Sequence, residues 1–268
     1  MAALVCALVV PGAALYGQAA GNGQQETNAP ADAGQGESEA PVAPGHVAVG
    51  LHVRMLPVRQ LSVMPNNTSL NTTYIAGTPY DWNFNTTSQS SMLGYGPAVE
   101  VTLTPRMTLS IELIYTRLRY QKVADVYWGV NDPTTAADDR SHMSTTESTQ
   151  ARLWDLPVML HYQVSRSPGV LSHLYVAAGV TDRLISNIST TSNTTYPNGT
   201  SAVSYIAAQT SKRNLLGAVV GVGFRFIDDF NFKVTPEVRY TRWAGQTFGS
   251  DSTQSPRDQF EIGVSITR

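Results

Sequence analysis

The stretch "ARLWDLPVMLHYQV", residues 151–164, decides how the rest of the chain is read. Trp154, Leu156, Val158, Leu160 and Tyr162 fall on one parity. Leu153, Asp155, Pro157, Met159, His161 and Gln163 fall on the other. Strict alternation marks a β-strand with two unlike faces. In a soluble barrel the apolar face would be the core. In a membrane barrel it would meet lipid, and Asp155 and His161 would point inward.

The same alternation recurs along the chain. It predicts eight strands, at 46–56, 92–104, 108–120, 150–164, 171–185, 212–226, 230–243 and 257–267. All exceed the five or six residues usual in globular strands and match the 9–11 tilted residues that cross a bilayer. The connections alternate in length. Residues 57–91, 121–149 and 186–211 are long and rich in Asn, Thr and Ser, and 244–256 is intermediate, while 105–107, 165–170 and 227–229 are short. Short turns at one end and long loops at the other are the pattern of outer-membrane barrels. The N-x-S/T triplets in the long segments are read as polar surface loops rather than glycan acceptors.

Sorting residues by parity gives one apolar face and one charged face. The apolar face includes Val47, Val49, Leu51, Val53, Leu93, Tyr95, Val176, Val180, Leu216, Val220, Val238, Phe260 and Ile262. The charged face carries Arg54, Glu100, Glu112, Asp155, Arg183, Arg213, Arg225, Lys233, Glu237, Arg239 and Glu261, with His52 and His161. Its signs nearly balance, as an enclosed network requires, because an unpaired buried charge is very costly. Glu112, Glu237 and Glu261 are expected to meet Arg213, Arg225, Arg239 or Lys233. Gly179, Gly217, Gly221 and Gly263 share the charged face and are expected to give room to long Arg and Glu side chains. Aromatic residues gather in two bands. Tyr162, Phe226, Phe230 and Phe232 lie at the short-turn end, and Tyr95, Tyr115, Trp154, Tyr240 and Phe260 at the long-loop end. Two such girdles are what membrane interfaces select.

The expected fold is therefore all-β: an eight-stranded antiparallel transmembrane β-barrel over residues 46–268, with short periplasmic turns and long extracellular loops. Residues 1–20, "MAALVCALVVPGAALYGQAA", have the apolar core and small-residue end of a signal peptide. The one cysteine, Cys6, falls inside that core, so the mature chain would carry none. Residues 21–45 contain almost no large apolar side chain and are expected to be a disordered periplasmic linker. Only 14% of the 268 residues are charged and the net charge is −2, which gives nucleic acid no purchase.

Three segments carry a family resemblance. "LWDLPVMLHYQV" (153–164) resembles the "(L/E)xIPxxLxY" strand of the PorT-like outer-membrane β-barrel domain. "VTPEVRYTRW" (234–243) is similar to the "PExRY" penultimate strand of that group, and "FEIGVSIT" (260–267) resembles its closing strand. The resemblance implies a small bacterial outer-membrane barrel of the OmpA/OmpX type, delivered by the barrel-insertion machinery, and no single activity. The chain ends in Arg268, where many such chains end in an aromatic residue.

No catalytic, metal or cofactor pattern emerges. His46, His52, His142, His161 and His173 show no metal-ligand spacing, and Asp155 and His161 lie six residues apart, roughly 20 Å along a strand. The expected role is structural or surface-interacting, without enzymatic activity, with the interior plugged by charged side chains and the loop ligand unnamed. The alternatives are a narrow porin-like channel or transport component, a membrane-embedded enzyme, and a soluble lipocalin-like binder. Arg117, Arg119, Arg152, Lys212 and Arg242 break the alternation on the apolar parity. All lie at strand ends beside long loops, and they are candidate lipopolysaccharide contacts. Arg117, Arg119 and Arg152 form one site, Lys212 and Arg242 a second.

Overall fold

The computed structural model describes residues 45–57, 62–63, 73–75, 78–165, 172–206, 210, 212–228, 230, 232–248 and 253–268. The expected signal peptide (1–20) lies outside the described residues. So does the expected linker (21–45) except Gly45, whose amide donates to Thr102 O at 2.7 Å.

The strands are β1 (Val47–Met55), β2 (Ser62–Val63), β3 (Thr73–Ile75), β4 (Thr78–Ser88), β5 (Leu93–Thr104), β6 (Met107–Glu112), β7 (Ile114–Trp128) and β8 (Ser141–Gln163). Then follow β9 (Leu174–Thr195), β10 (Ser201–Ile206), β11 (Asn214–Phe224), β12 (Phe226–Ile227), β13 (Lys233–Trp243), β14 (Thr253–Gln254) and β15 (Asp258–Thr267). All the pairings are antiparallel. β6 and β7 act as one strand bent at Leu113, whose amide donates to Pro97 O at 3.0 Å. Gly96 permits that close approach: a Cβ there would stand 1.7 Å from Leu113 O.

Counting β6–β7 once, eight strands pair in the circuit β1–β5–β6/β7–β8–β9–β11–β13–β15, and β15 pairs back onto β1 with Gly50 opposite Thr267. The ladder thus returns on itself, and no strand of the circuit is left with a free edge along the ring. Five of these follow the strands expected from alternation to within a few residues, whereas β7, β8 and β9 run eight to ten residues beyond the expected ends at 120, 150 and 185. Alternation also assigns the faces. Val47 (55% exposed) and Leu216 (63%) point out, whereas Asp155 and Arg239 (1% each) point in.

Three expected long loops are corrected by the structure. β7, β8 and β9 reach 15, 23 and 22 residues. Their far halves pair with one another and, at the flanks, with β4 and β10. Much of 121–149, 186–206 and 78–88 is therefore sheet. From Trp154 to Ser141, β8 runs 13 residues, roughly 43 Å along the strand. Thr and Ser fill the projecting halves of β8 and β9, and Thr is a good strand former. There both faces are polar, so no apolar alternation announces them; β4 does alternate, with Tyr80, Trp82 and Phe84 against Asp81, Asn83 and Asn85, and is passed over in sequence reading. Cross-strand hydroxyl pairs hold the rungs, Thr149 with Thr190 at 2.8 Å and Thr145 with Thr194 at 3.2 Å.

Candidate functional site

Of the eleven charges expected inside the ring, ten line it. Arg213 is the correction: it keeps the inward parity of β11 but sits before the strand begins and is exposed. The remaining set is Arg54, Arg183, Arg225, Lys233 and Arg239 against Glu100, Glu112, Asp155, Glu237 and Glu261, five cations to five anions.

Most of these groups form one connected chain. Arg183 grips Asp155 with two bonds, at 2.7 and 2.8 Å, and donates to Gln259 Oε1 at 2.8 Å. Its guanidinium lies 4.0 Å from the centre of the Trp243 ring, and Trp243 Nε1 donates to the same Gln259 oxygen at 3.2 Å. Arg54 bonds Asp155 from β1 and reaches Glu261 at 3.1 Å and Thr116 at 3.1 Å. Arg239 forks onto Glu112 with two bonds of 2.7 Å, bonds Glu237, and approaches Glu261 at 3.7 Å. Tyr175 closes the chain by donating to Glu237 at 2.5 Å. One cation, Arg239, thus serves all three glutamates. The expected partners Arg213, Arg225 and Lys233 do not appear in these bonds. Arg225 instead lies 3.9 Å from Glu100 and donates to Thr108 at 3.3 Å.

The glycines make room for side chains at three of four positions, but only Gly221 makes it for Glu and Arg, as expected; Gly217 makes it for Trp243 and Gly263 for His52. A Cβ on Gly217 would meet the Trp243 ring at 2.9 Å, one on Gly221 would meet Glu237 Oε1 at 3.0 Å, and one on Gly263 would meet His52 at 2.6 Å. Gly179 differs: its Cβ would meet the backbone oxygen of Val158 at 2.1 Å, so it serves strand approach.

Directly beyond Asp155 and Arg183, toward the projecting sheet, the next inward residues are apolar. Leu118, Ala151, Leu153, Ile185 and Phe248 form a buried cluster, with Tyr120 edge-on to Phe248 at 5.7 Å. Phe248 comes from the β13–β15 connection and is pinned by Ser255, which accepts from the amides of Thr247 (2.8 Å) and Phe248 (3.2 Å). Sequence reading misses this cap because its central residue lies in a segment without periodicity. Tyr175 and Gln259 are missed for a different reason: both lie on inward parity, but neither carries a charge.

Two buried Ser–His contacts invite a catalytic reading. Ser265 Oγ lies 2.7 Å from His52 Nδ1, and Ser110 Oγ 3.1 Å from His161 Nε2. A relay needs a carboxylate on the ring nitrogen opposite the serine. Glu112 approaches His52 at the same Nδ1, at 3.6 Å, and the far nitrogens, His52 Nε2 and His161 Nδ1, have no partner among the described residues. Neither contact has the geometry of an acylating dyad. Asp155 and His161 belong to separate parts of the interior, His161 being stacked on Tyr175 at 4.8 Å.

On the outside, Tyr95, Tyr115 and Trp154 form a row with centroid separations of 5.9 and 5.0 Å, and Tyr240 and Phe260 lie 5.0 Å apart. Phe224 and Phe226 stack at 6.3 Å toward the opposite end, where Tyr162 and Phe230 are exposed. Just beyond the first row lie Arg117, Arg119 and Arg152. Of the expected second pair, Arg242 is held by its register partner Asp258 at 2.5 Å, and Lys212 is exposed just before β11. Asp182 is an outward carboxylate that sequence reading passes over, placed between Leu156 and Leu216.

No protein-family model matches the chain. No curated protein matches it. Among solved structures, the chain is similar to the outer membrane protease OmpT from Escherichia coli at 11% identity and a TM-score of 0.17, over 83% of this chain and 92% of that one. A score of that size carries no argument about fold or activity.

Proposed function

We propose that the closed ring is an eight-stranded transmembrane β-barrel of a bacterial outer membrane. Its role is structural or surface-interacting, and its projecting sheet is held outside the cell. The observation that carries this reading is the inversion of the faces: a largely apolar exterior, interrupted by the carboxylate of Asp182, surrounds a charged interior. In water such an exterior, far larger than the apolar patches monomers tolerate, would drive association. In lipid it is the required surface, and a closed ladder leaves no unpaired backbone group in hydrocarbon.

The aromatic bands supply a scale. Trp154 and Tyr162 are eight residues apart on β8, and Phe232 and Tyr240 are eight apart before and along β13. Eight residues span roughly 26 Å along a strand. Tilted by about 40°, this becomes roughly 20 Å, close to the ~25 Å apolar band of outer-membrane barrels. The likeness to the PorT-like domain is part of this proposal. So are delivery by the barrel-insertion machinery, the periplasmic placement of both termini, and the absence of enzymatic turnover.

Flotation with phospholipid vesicles tests the reading. Chain refolded from denaturant in their presence is expected to float with the lipid and stay there through a carbonate wash. Recovery as a soluble monomer without lipid or detergent would contradict it.

A further inference from the structure

The outward surface beyond the Tyr95–Tyr115–Trp154 row carries three guanidinium groups in an arrangement that a sheet does not favour unaided. Arg117 of β7 and Arg152 of β8 are register partners, and Arg119 and Gln150 form the next outward pair. Directly opposed residues hold their Cβ atoms roughly 4.5–5.5 Å apart, and like charges so placed are destabilising. The side chains do not diverge. Arg117 Nη2 and Arg119 Nη2 both donate to Gln150 Oε1, at 3.2 and 3.3 Å. A neutral amide oxygen satisfies hydrogens but cancels no charge. Arg119 Nε is buried and has no acceptor among the described residues.

No carboxylate among the described residues pairs with these three. Across β8, Arg152 and Gln150 face Ser186 and Ser189 of β9, on either side of a bulge in which Asn187 has φ 49°. The next outward carboxylate along β9, Asp182, is four residues from Ser186, roughly 13 Å along the strand. On β7 it is Asp125, six residues past Arg119, which is engaged with His142 at 3.1 Å. Three other outward or projecting cations do have anions: Arg242 has Asp258, Arg140 has Asp138 and Asp81, and Lys122 has Glu147 at 4.0 Å.

We propose that Arg117, Arg119 and Arg152 bind the phosphate group of a membrane amphiphile whose apolar body lies on Tyr115 and Trp154. This rests on the membrane reading above. A phosphate monoester carries up to two negative charges and several acceptor oxygens, and guanidinium forks match them in pairs. It would supply the missing acceptor to Arg119 Nε and neutralise the opposed Arg117 and Arg152. Ser186 and Ser189 add neutral donors at the rim. The aromatic row lies one outward position below, so a bound molecule that is charged at one end and apolar at the other meets both surfaces. A free phosphate would leave the rings unused.

The test uses the full chain in lipid nanodiscs, native mass spectrometry, and three probes: bisphosphorylated lipid A, the same lipid with its phosphates removed, and inorganic phosphate. The parent is expected to retain the phosphorylated lipid about tenfold or more better than the dephosphorylated one, since charge-assisted hydrogen bonds are lost with the phosphates. The Arg117→Gln/Arg119→Gln/Arg152→Gln variant is expected to lose that preference, and Arg106→Gln, at the opposite end, to keep it. Arg152→Gln alone relieves the like-charge opposition while removing one contact. It is expected to fold at least as stably as the parent and to weaken the preference, so the test stands if the triple variant does not fold. Equal retention of the two lipids by the parent, or an undiminished preference in the triple variant, would overturn the site while leaving the membrane reading intact. Displacement of lipid by equimolar inorganic phosphate would also overturn it, in favour of a free-phosphate site. Failure of the chain to enter nanodiscs would overturn both readings.

Discussion

Asp155 holds two arginines from opposite sides, Arg54 of β1 and Arg183 of β9, in an interior from which water is largely excluded. Removing one member of a buried pair strands the other, at roughly 3–5 kcal/mol. Asp155→Ala is expected to fall in that range in urea unfolding from lipid. Arg54 keeps Glu261, but Arg183 keeps only the neutral Gln259. Glu237→Ala is expected to cost less, about 1–3 kcal/mol, chiefly from the orphaned Tyr175 hydroxyl. Arg239 retains its fork onto Glu112. Equal losses in the two variants would contradict the connectivity described. Charge and parity made ten of these eleven residues legible from sequence. Arg213 was misplaced because parity alone does not say where a strand stops. Tyr175 and Gln259 went unread because an uncharged side chain at an inward position does not announce that it completes an ionic network.

The strands themselves divide into those that sequence reveals and those that it hides. Where one face is apolar and the other charged, as from Asp155 to Tyr162, alternation sets both the element and its orientation. In the projecting halves of β8 and β9 no such contrast exists, and Thr- and Ser-rich sheet reads as loop. The hairpin that joins β7 to β8 shows how the projection is tied. Arg140 bonds Asp138 beside it and Asp81 on β4, two strands away. The hydrogen bonds from Arg140 hold the Asp138 carboxyl at about 2, below the usual aspartate range. With the folded pKa depressed, the contribution of this pair is complete above the ordinary aspartate pKa and is lost as pH falls toward about 2. A carbon-detected NMR titration of Asp138 is expected to place its midpoint near that value in the parent and to move it up in Arg140→Gln. An unmoved midpoint would contradict the clamp.

On the scale of the molecule, the ring presents an apolar exterior, a charge-balanced interior and a hydrophobic cap formed by Leu118, Ala151, Leu153, Ile185 and Phe248. Eight strands enclose a space that side chains just fill, and on the proposed barrel reading the buried ions occupy it beneath the apolar cluster. Planar-bilayer recordings are therefore expected to show no steady, large single-channel current, and such a current would favour the channel alternative. The central claim is that lipid surrounds the ring and polar side chains occupy it. Spin labels placed singly at residues 176, 177, 178, 180 and 181 of β9, in a Cys6→Ser background reconstituted into vesicles, test it most directly by collision with oxygen and with a water-soluble nickel chelate. The account predicts a period of two: labels at Val176, Ala178 and Val180 meet oxygen and not nickel, while those at Ala177 and Thr181 meet neither. Nickel contact at Val176, Ala178 and Val180 would contradict it.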